Sequence, residues 1–225
     1  MAETPLSIVM PVLNEARTLE RHLPALQAWR EYAELIVVDG GSADASVDIA
    51  SPLCDICLVA DRGRARQMNA GAAVAAGGIV LFLHCDTRLQ LAPADFPTQL
   101  PGAARWGFFR VRLSGAARHF RLIESAMNWR SRLTRVATGD QCLFVERALW
   151  RALGGYADIP LMEDVELCKR LRRCGPPHIV GAPAVTSSRR WEDRGALKTV
   201  LDMSRLRLAY WLGAEPADLA RRYYG

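Results

Sequence analysis

The sequence predicts an α/β fold, a mostly parallel, twisted, Rossmann-like sheet flanked by helices. Continuously apolar runs at residues 7–12, 35–38 and 79–83 have the composition of strands buried on both faces. Segments with helical apolar spacing separate them, the alternation expected of crossover units. Each run also ends in acidic or amide residues: Asn14, Asp39 and Asp86. Ligands of such sheets sit beyond the carboxyl ends of the strands, so these three residues are expected to face one site.

Taken in order, residues 7–12 form the first strand, and residues 16–33 a helix with Leu19, Leu23 and Leu26 on one face. Residues 35–38 form the second strand, and a short helix holds Asp48, Ile49 and Ala50. Residues 55–59 read as a strand, 65–76 as a helix of small residues, and 79–83 as a buried strand. The second half is less regular. Strands are expected at residues 106–113, 141–145 and 178–180, with helices over 147–153, 163–174 and 196–212, each followed closely by glycine. Residues 118–135 read as an amphipathic helix, with Leu122, Ala126, Trp129 and Leu133 on one stripe and Arg121, Ser125, Asn128, Arg132 and Arg135 opposite. Residues 189–191 fall in a loop, and Pro216 starts a terminal turn.

With 225 residues, half of them apolar, the whole chain 1–225 is expected to form one domain. No signal-peptide pattern opens it, since the first apolar run passes directly into Pro11 and Asn14. The longest apolar stretch, residues 70–83, contains Gly71, Gly77 and Gly78 and is too short to span a bilayer. A cytoplasmic protein is expected, at most peripheral to the inner face of a membrane. Six cysteines, including the Cys54-Asp55-Ile56-Cys57 pair, are expected to be free thiols, because no second pair stands at zinc spacing. The net charge of +5 is concentrated: residues 105–135 hold eight arginines and one acid, Glu124. Such a stretch suits an acidic acceptor, a phosphate or an anionic membrane surface, or a solvated salt-bridged face. No nucleic-acid motif accompanies it.

The most telling stretch is Leu161-Met162-Glu163-Asp164-Val165-Glu166, a doubled acid opening a helix after Gly154-Gly155-Tyr156 and Pro160. Acids suit a helix's first turn for electrostatic reasons alone. Their company argues for more. In order, the chain carries Pro11-Val12-Leu13-Asn14-Glu15, Val38-Asp39-Gly40-Gly41-Ser42, His84-Cys85-Asp86 and Glu163-Asp164, and over residues 6–191 this set resembles glycosyltransferase family 2.

That resemblance implies the GT-A fold and a nucleotide-diphosphate sugar donor, with residues 1–100 binding the donor, 101–195 the acceptor and catalytic half, and 196–225 a helical tail. It implies that Pro11, Asn14 and Glu15 hold base and ribose, and that Asp39 accepts a base N–H. The family often has a second acid after the latter, where this chain has Gly40. Arg64 and Arg66, at a helix start, are expected to meet the diphosphate. His84-Cys85-Asp86 stands at the Asp-x-Asp metal motif, so Asp86 is the expected ligand of Mn²⁺ or Mg²⁺. His84 is a ligand, a neighbour of one or a packed strand histidine; an imidazole favours Mn²⁺. Asp164 takes the position of the general base, beside Glu163. Ser187-Ser188-Arg189-Arg190-Trp191 resembles the Gln-x-x-Arg-Trp element of processive members without its glutamine, leaving Arg190 for phosphate and Trp191, with Asp140, for the acceptor. The implied activity is inverting sugar transfer to an unidentified acceptor, acidic or lipid-linked. A nucleotide-sugar-binding protein without catalysis and a sugar nucleotidyltransferase are the alternatives. The final segment is open between a core cap, a homodimer surface and a membrane contact.

Overall fold

The computed structural model describes residues 6–100 and 104–224, apart from the side chains of Arg190 and Arg194. Its strands are β1 (Leu6–Val12), β2 (Ala33–Asp39), β3 (Ile56–Val59), β4 (Ile79–Phe82), β5 (Arg88–Leu89), β6 (Trp106–Leu113), β7 (Phe144–Glu146) and β8 (His178–Thr186). Among the described residues they make one sheet in the order β3-β2-β1-β4-β7-β6-β8-β5. The β3-β2-β1-β4 half is parallel throughout, and β6 and β8 are parallel to each other. Strand β7 reverses direction between the two groups, and β5 is antiparallel at the far edge.

Alternation along β1 divides the core. Ile8, Met10 and Val12 pack to one face with Leu19, Leu23, Trp29 and Phe96. Val9 points to the other, with Met68, Ala72, Trp150 and Leu167. The first face is covered by α1 (Ala16–His22), a 3₁₀ segment over Leu23–Glu31 and α2 (Ser46–Ala50). The helix expected to run unbroken to residue 33 changes to 3₁₀ at Leu23 because Pro24 follows and cannot continue the α ladder. The second face is covered by α3 (Arg64–Val74), α5 (Arg147–Ala152) and α6 (Glu163–Leu171).

The helix α4 (Arg118–Thr134) explains the irregular second half. Beyond Gly107, one edge of β6 has no strand partner, and α4 supplies the missing groups. Asn128 accepts from the Val111 N–H at 2.8 Å and donates to its carbonyl at 3.0 Å. Glu124 accepts from the Leu113 N–H at 2.6 Å, and Arg121 donates to the Leu113 carbonyl at 3.0 Å. The polar side of α4 therefore faces the sheet, and the expected apolar stripe faces outward, with Leu122 75% and Trp129 67% exposed. Residues 139–141 form a 3₁₀ turn closed by a Thr138/Gln141 capping box, so the strand expected from residue 141 starts at Phe144. Residues 189–191, expected in a loop, begin the short helix α7 (Arg189–Arg194). Helix α8 (Ala196–Trp211) follows, and Pro216 opens a full helix, α9 (Pro216–Tyr224), rather than a turn. Leu206, Leu219 and Ala220 of these last helices pack with Leu161 and Met162 in a small core of their own.

All six cysteines are free thiols. Burial, with Cys57 adding, pushes Cys54 up to about 11, so it packs as a neutral thiol rather than presenting a thiolate.

Glu124→Ala is expected to orphan the buried Leu113 N–H and cost about 1–3 kcal/mol in urea unfolding. Glu124→Gln, which keeps an acceptor, is expected to lose much less.

Candidate active site

The carboxyl ends of β1, β2 and β4 lie side by side, and the loops after β1 and β2 are sewn together. Asn14 adopts a left-handed φ of 54°. Its N–H donates to Ser42 Oγ, and its Oδ1 accepts from the Ala43 N–H, both at 2.8 Å. Glu15 N–H donates to Ser46 Oγ at 2.8 Å, and Asp44 accepts from Ala16 N–H at 3.1 Å. Asp39, at the end of β2, is buried. One of its oxygens accepts the N–H groups of Gly41 and Ser42, each at 2.8 Å, while the other takes the Ser42 hydroxyl. Both oxygens expected to read a base are thus engaged by their own turn. Pro11 pairs with Val38 inside the sheet.

Gln67 on α3, which sequence reading did not single out, is buried and donates to the carbonyls of Val12 at 2.7 Å and Val38 at 2.8 Å. It fixes the separation of the two strand ends. A Cβ at Gly40 would stand 2.9 Å from its Oε1, so the absence of a second acid after Asp39 is sterically tied to Gln67.

Around β4 and α6 a cleft of about 740 Å³ opens. Arg64, His84, Asp86, Asp140, Glu163, Asp164 and Trp191 all contribute to its wall. Glu163 is buried and lies 3.5 Å from the Arg64 guanidinium. Asp164 accepts the Gly139 N–H at 3.0 Å and its own helix's Val165 N–H at 2.7 Å. Met162 caps this helix at a φ of 69°, a costly conformation for a residue with a Cβ, and so turns both acids toward the cleft. Burial, reinforced by Glu163, pushes Asp164 up to about 7 against those two N–H donors and Arg64. Opposite the acids, Arg130 of α4 reaches Ser131 Oγ at 2.8 Å, while its Nε is buried without a hydrogen-bond partner. Burial lowers this guanidinium's pKa, opposed by Asp140 and Asp164. It too was overlooked, because in the sequence it is one arginine among eight.

One expected phosphate contact is engaged elsewhere. Arg66, two residues after Arg64, pairs with Asp158 at 2.8 Å on the surface. The Arg190 side chain lies outside the described residues, and its neighbour Arg189 is the cation that acts on Asp86.

His84 lies over Gly139, where a Cβ would stand 2.4 Å from its Cε1. Burial, with Arg64 adding, pushes it down to about 3, so it is neutral and retains a nitrogen lone pair. Asp86 is pushed up by burial, with Glu15 and Asp140 adding and the Thr87 hydroxyl and Arg189 opposing. A carboxylate and a neutral imidazole in an excess of negative field fit a divalent cation that shares its remaining sites with diphosphate oxygens. Among the described residues, no group of three or more His, Cys, Asp or Glu forms a cage on its own.

Residues 7–102 match the family model described as Glycosyl transferase family 2. A glycosyltransferase of PGL/p-HBAD biosynthesis from Mycobacterium bovis is 37% identical over 101 residues, 41% of this chain and 39% of the relative, and one from Mycobacterium tuberculosis matches equally. The chain therefore spans well under half the length of these curated relatives. Among solved structures, S. aureus TarS 1-349 in complex with UDP superposes with a TM-score of 0.63 at 14% identity, over 81% of this chain and 60% of that one. The mannosyltransferase PcManGT from Pyrobaculum calidifontis, in complex with GDP-Man and Mn²⁺, gives 0.60 at 19%, over 81% and 56%. Glucosyl-3-phosphoglycerate synthase from Mycobacterium tuberculosis, with Mn²⁺, UDP and glucosyl-3-phosphoglycerate, gives 0.57 at 20%, over 80% and 70%. At these identities the likeness establishes the fold, which is GT-A.

Folding raises the Asp164 pKa, so the proton held there adds stability that is complete below the ordinary carboxylate range and lost as pH rises through about 7. Asp164→Asn is expected to narrow the difference in melting temperature between pH 5.5 and pH 8, relative to wild type, by ~3 °C or more. An unchanged difference would remove the raised pKa.

Proposed function

We propose that this chain, whose residues 7–102 match glycosyltransferase family 2, transfers a sugar from a nucleotide-diphosphate sugar to an acceptor hydroxyl with inversion at the anomeric carbon. The observation that carries the reading is Asp164, a partly buried acid with a pKa of about 7, at a helix start on the wall of the cleft. A base poised near neutrality takes a hydroxyl proton at little cost and still exists as carboxylate.

In this reading the acceptor hydroxyl approaches Asp164, held in place by the Gly139 and Val165 N–H groups. Its proton passes to the Asp164 carboxylate as the oxygen attacks the anomeric carbon. The new C–O bond forms opposite the breaking bond, and the nucleoside diphosphate departs. Glu163, paired with Arg64, adds its negative charge to burial in holding the Asp164 pKa near neutrality. Arg64 also faces the cleft where the departing phosphates gather. A divalent cation, Mn²⁺ in preference to Mg²⁺, would be held by Asp86 with His84 and would offset charge on the diphosphate. The base and ribose would lie on the rim of Pro11, Asn14, Glu15 and Asp39. Because the Asp39 oxygens are committed to their own turn, base contacts there would come through its one remaining acceptor position.

The departures from the family pattern at His84 and Gly40 also favour a second reading, nucleotide-sugar binding without transfer. Turnover separates the two. A thermal-shift panel of UDP, GDP, CDP, dTDP and ADP with Mn²⁺, Mg²⁺ or chelator is expected to give a shift for one diphosphate that needs Mn²⁺ and vanishes in Asp86→Ala. Asp164→Asn is expected to lower kcat by about 10²–10⁴-fold and leave that shift intact. The wild-type kcat/KM should rise with pH through about 7, as Asp164 loses its proton. Full turnover by Asp164→Asn would remove it as the base.

A further inference from the structure

The 740 Å³ cleft is larger than the acids require, and its far wall is apolar. Leu122, Ala126 and Trp129 of α4 face Val200 and Met203 of α8 across it, with Leu161 at its floor. That wall continues past the cleft mouth. Leu133 on α4 and Leu208, Trp211 and Leu212 at the end of α8 are all more than half exposed. A soluble surface seldom gathers so many large apolar side chains on two neighbouring helices without a partner. Exposed arginines accompany them: Arg118 at the start of α4 and Arg205 on α8, with Arg132 and Arg135 exposed toward the other side of α4. Inside, Arg130 lines the cleft with Asp140 and Asp164; its Nη2 is held by Ser131 and Gln141, its Nε is buried without a partner, and no carboxylate lies within ion-pair distance of it among the described residues.

From this juxtaposition we infer that the acceptor is a membrane lipid bearing a hydroxyl and an anionic headgroup. Its hydroxyl lies at Asp164, its anionic group at Arg130, and its apolar chain between α4 and α8. The inference rests on the transferase reading for the role of Asp164 and goes further by naming the acceptor class. Charge complementarity selects the occupant. The apolar groove leads inward to Arg130, the cleft arginine without an ion pair beside the Glu163-paired Arg64, and outward to exposed arginines, the order of chemistry along an anionic amphiphile lying at a bilayer surface. A second copy of the chain would meet the same arginines on both sides.

The test uses the whole chain and submicellar dihexanoyl phosphatidylglycerol, which carries hydroxyls, a phosphate and apolar chains. Glycerol phosphate removes the chains, and dihexanoyl phosphatidylcholine removes the net charge and the free hydroxyls. Binding is read by isothermal titration calorimetry and checked by the part of the tryptophan fluorescence change that Trp129→Phe and Trp191→Phe remove, both residues being in the cleft wall. Phosphatidylglycerol is expected to bind about tenfold or more tightly than either comparison compound. Leu122→Glu, at an exposed position, and Val200→Glu are each expected to weaken it by a similar factor, ~10-fold. Arg130→Gln is expected to abolish the preference over phosphatidylcholine. Equal affinity for the three compounds, or a wild-type affinity in Leu122→Glu and Val200→Glu, overturns the proposal. So does a dimer in light scattering that Trp129→Glu dissociates and that binds no amphiphile, since the apolar face then belongs to a second copy. The same samples are titrated with the diphosphate panel and Mn²⁺. A protein that binds a nucleotide but no amphiphile overturns this proposal alone. One that binds the amphiphile but no nucleotide supports the lipid site and overturns the transferase reading.

Discussion

A backbone N–H or carbonyl buried away from water must find a partner, and the edge of β6 is where this requirement shapes the molecule. The strand has β8 along one side, but β7 accompanies it only at Trp106 and Gly107. Past that point Phe109, Val111 and Leu113 present groups that no strand meets. Gln141, Asn128, Glu124 and Arg121 meet them instead, four side chains acting as one strand edge. The cost is orientation. A helix that turns its amide and carboxylate inward must turn its leucines and tryptophan outward, so the cleft's apolar wall and the sheet's completion are two faces of one solution.

The electrostatics of the site follow from a second crowding. Glu15, Asp86, Asp140, Glu163 and Asp164 converge with few cations, and the sheet and helices exclude water from most of them. Burial raises the cost of ionising Asp86 and Asp164, and neighbouring acids add to it, Glu15 and Asp140 at the first and Glu163 at the second, so both are held above the ordinary carboxylate value. In the proposed reading, the base and the cation-holding carboxylate would both draw on this environment. Arg64 lies 3.5 Å from Glu163 and also opposes the rise at Asp164, so one cation serves both adjacent acids.

Much of this was legible in the sequence. Strand ends are marked by a change from continuous apolar residues to Asn, Asp or Gly, so the convergence of Asn14, Asp39 and Asp86 could be placed without coordinates. The acid pair was visible because a doubled carboxylate before an apolar-spaced helix is distinctive. What escaped were features decided by tertiary pairing. Arg64 and Arg66 look alike in the sequence, yet their helical angles separate them and a surface carboxylate, Asp158, claims the second. Helix α4 has an ordinary amphipathic pattern, and nothing local reveals that its polar side satisfies a strand. Gln67 carries no motif, and only the two carbonyls it spans give it importance.

The contact between Gly40 and Gln67 has a historical consequence. A side chain added after Asp39 would press on the Gln67 amide, which must then move from the bridge it makes between the ends of β1 and β2. Shortening Gln67 would likewise take the shared donor from the two carbonyls. A change at either position therefore bears on the other. The two residues are 27 apart in the chain and would be expected to co-vary across relatives.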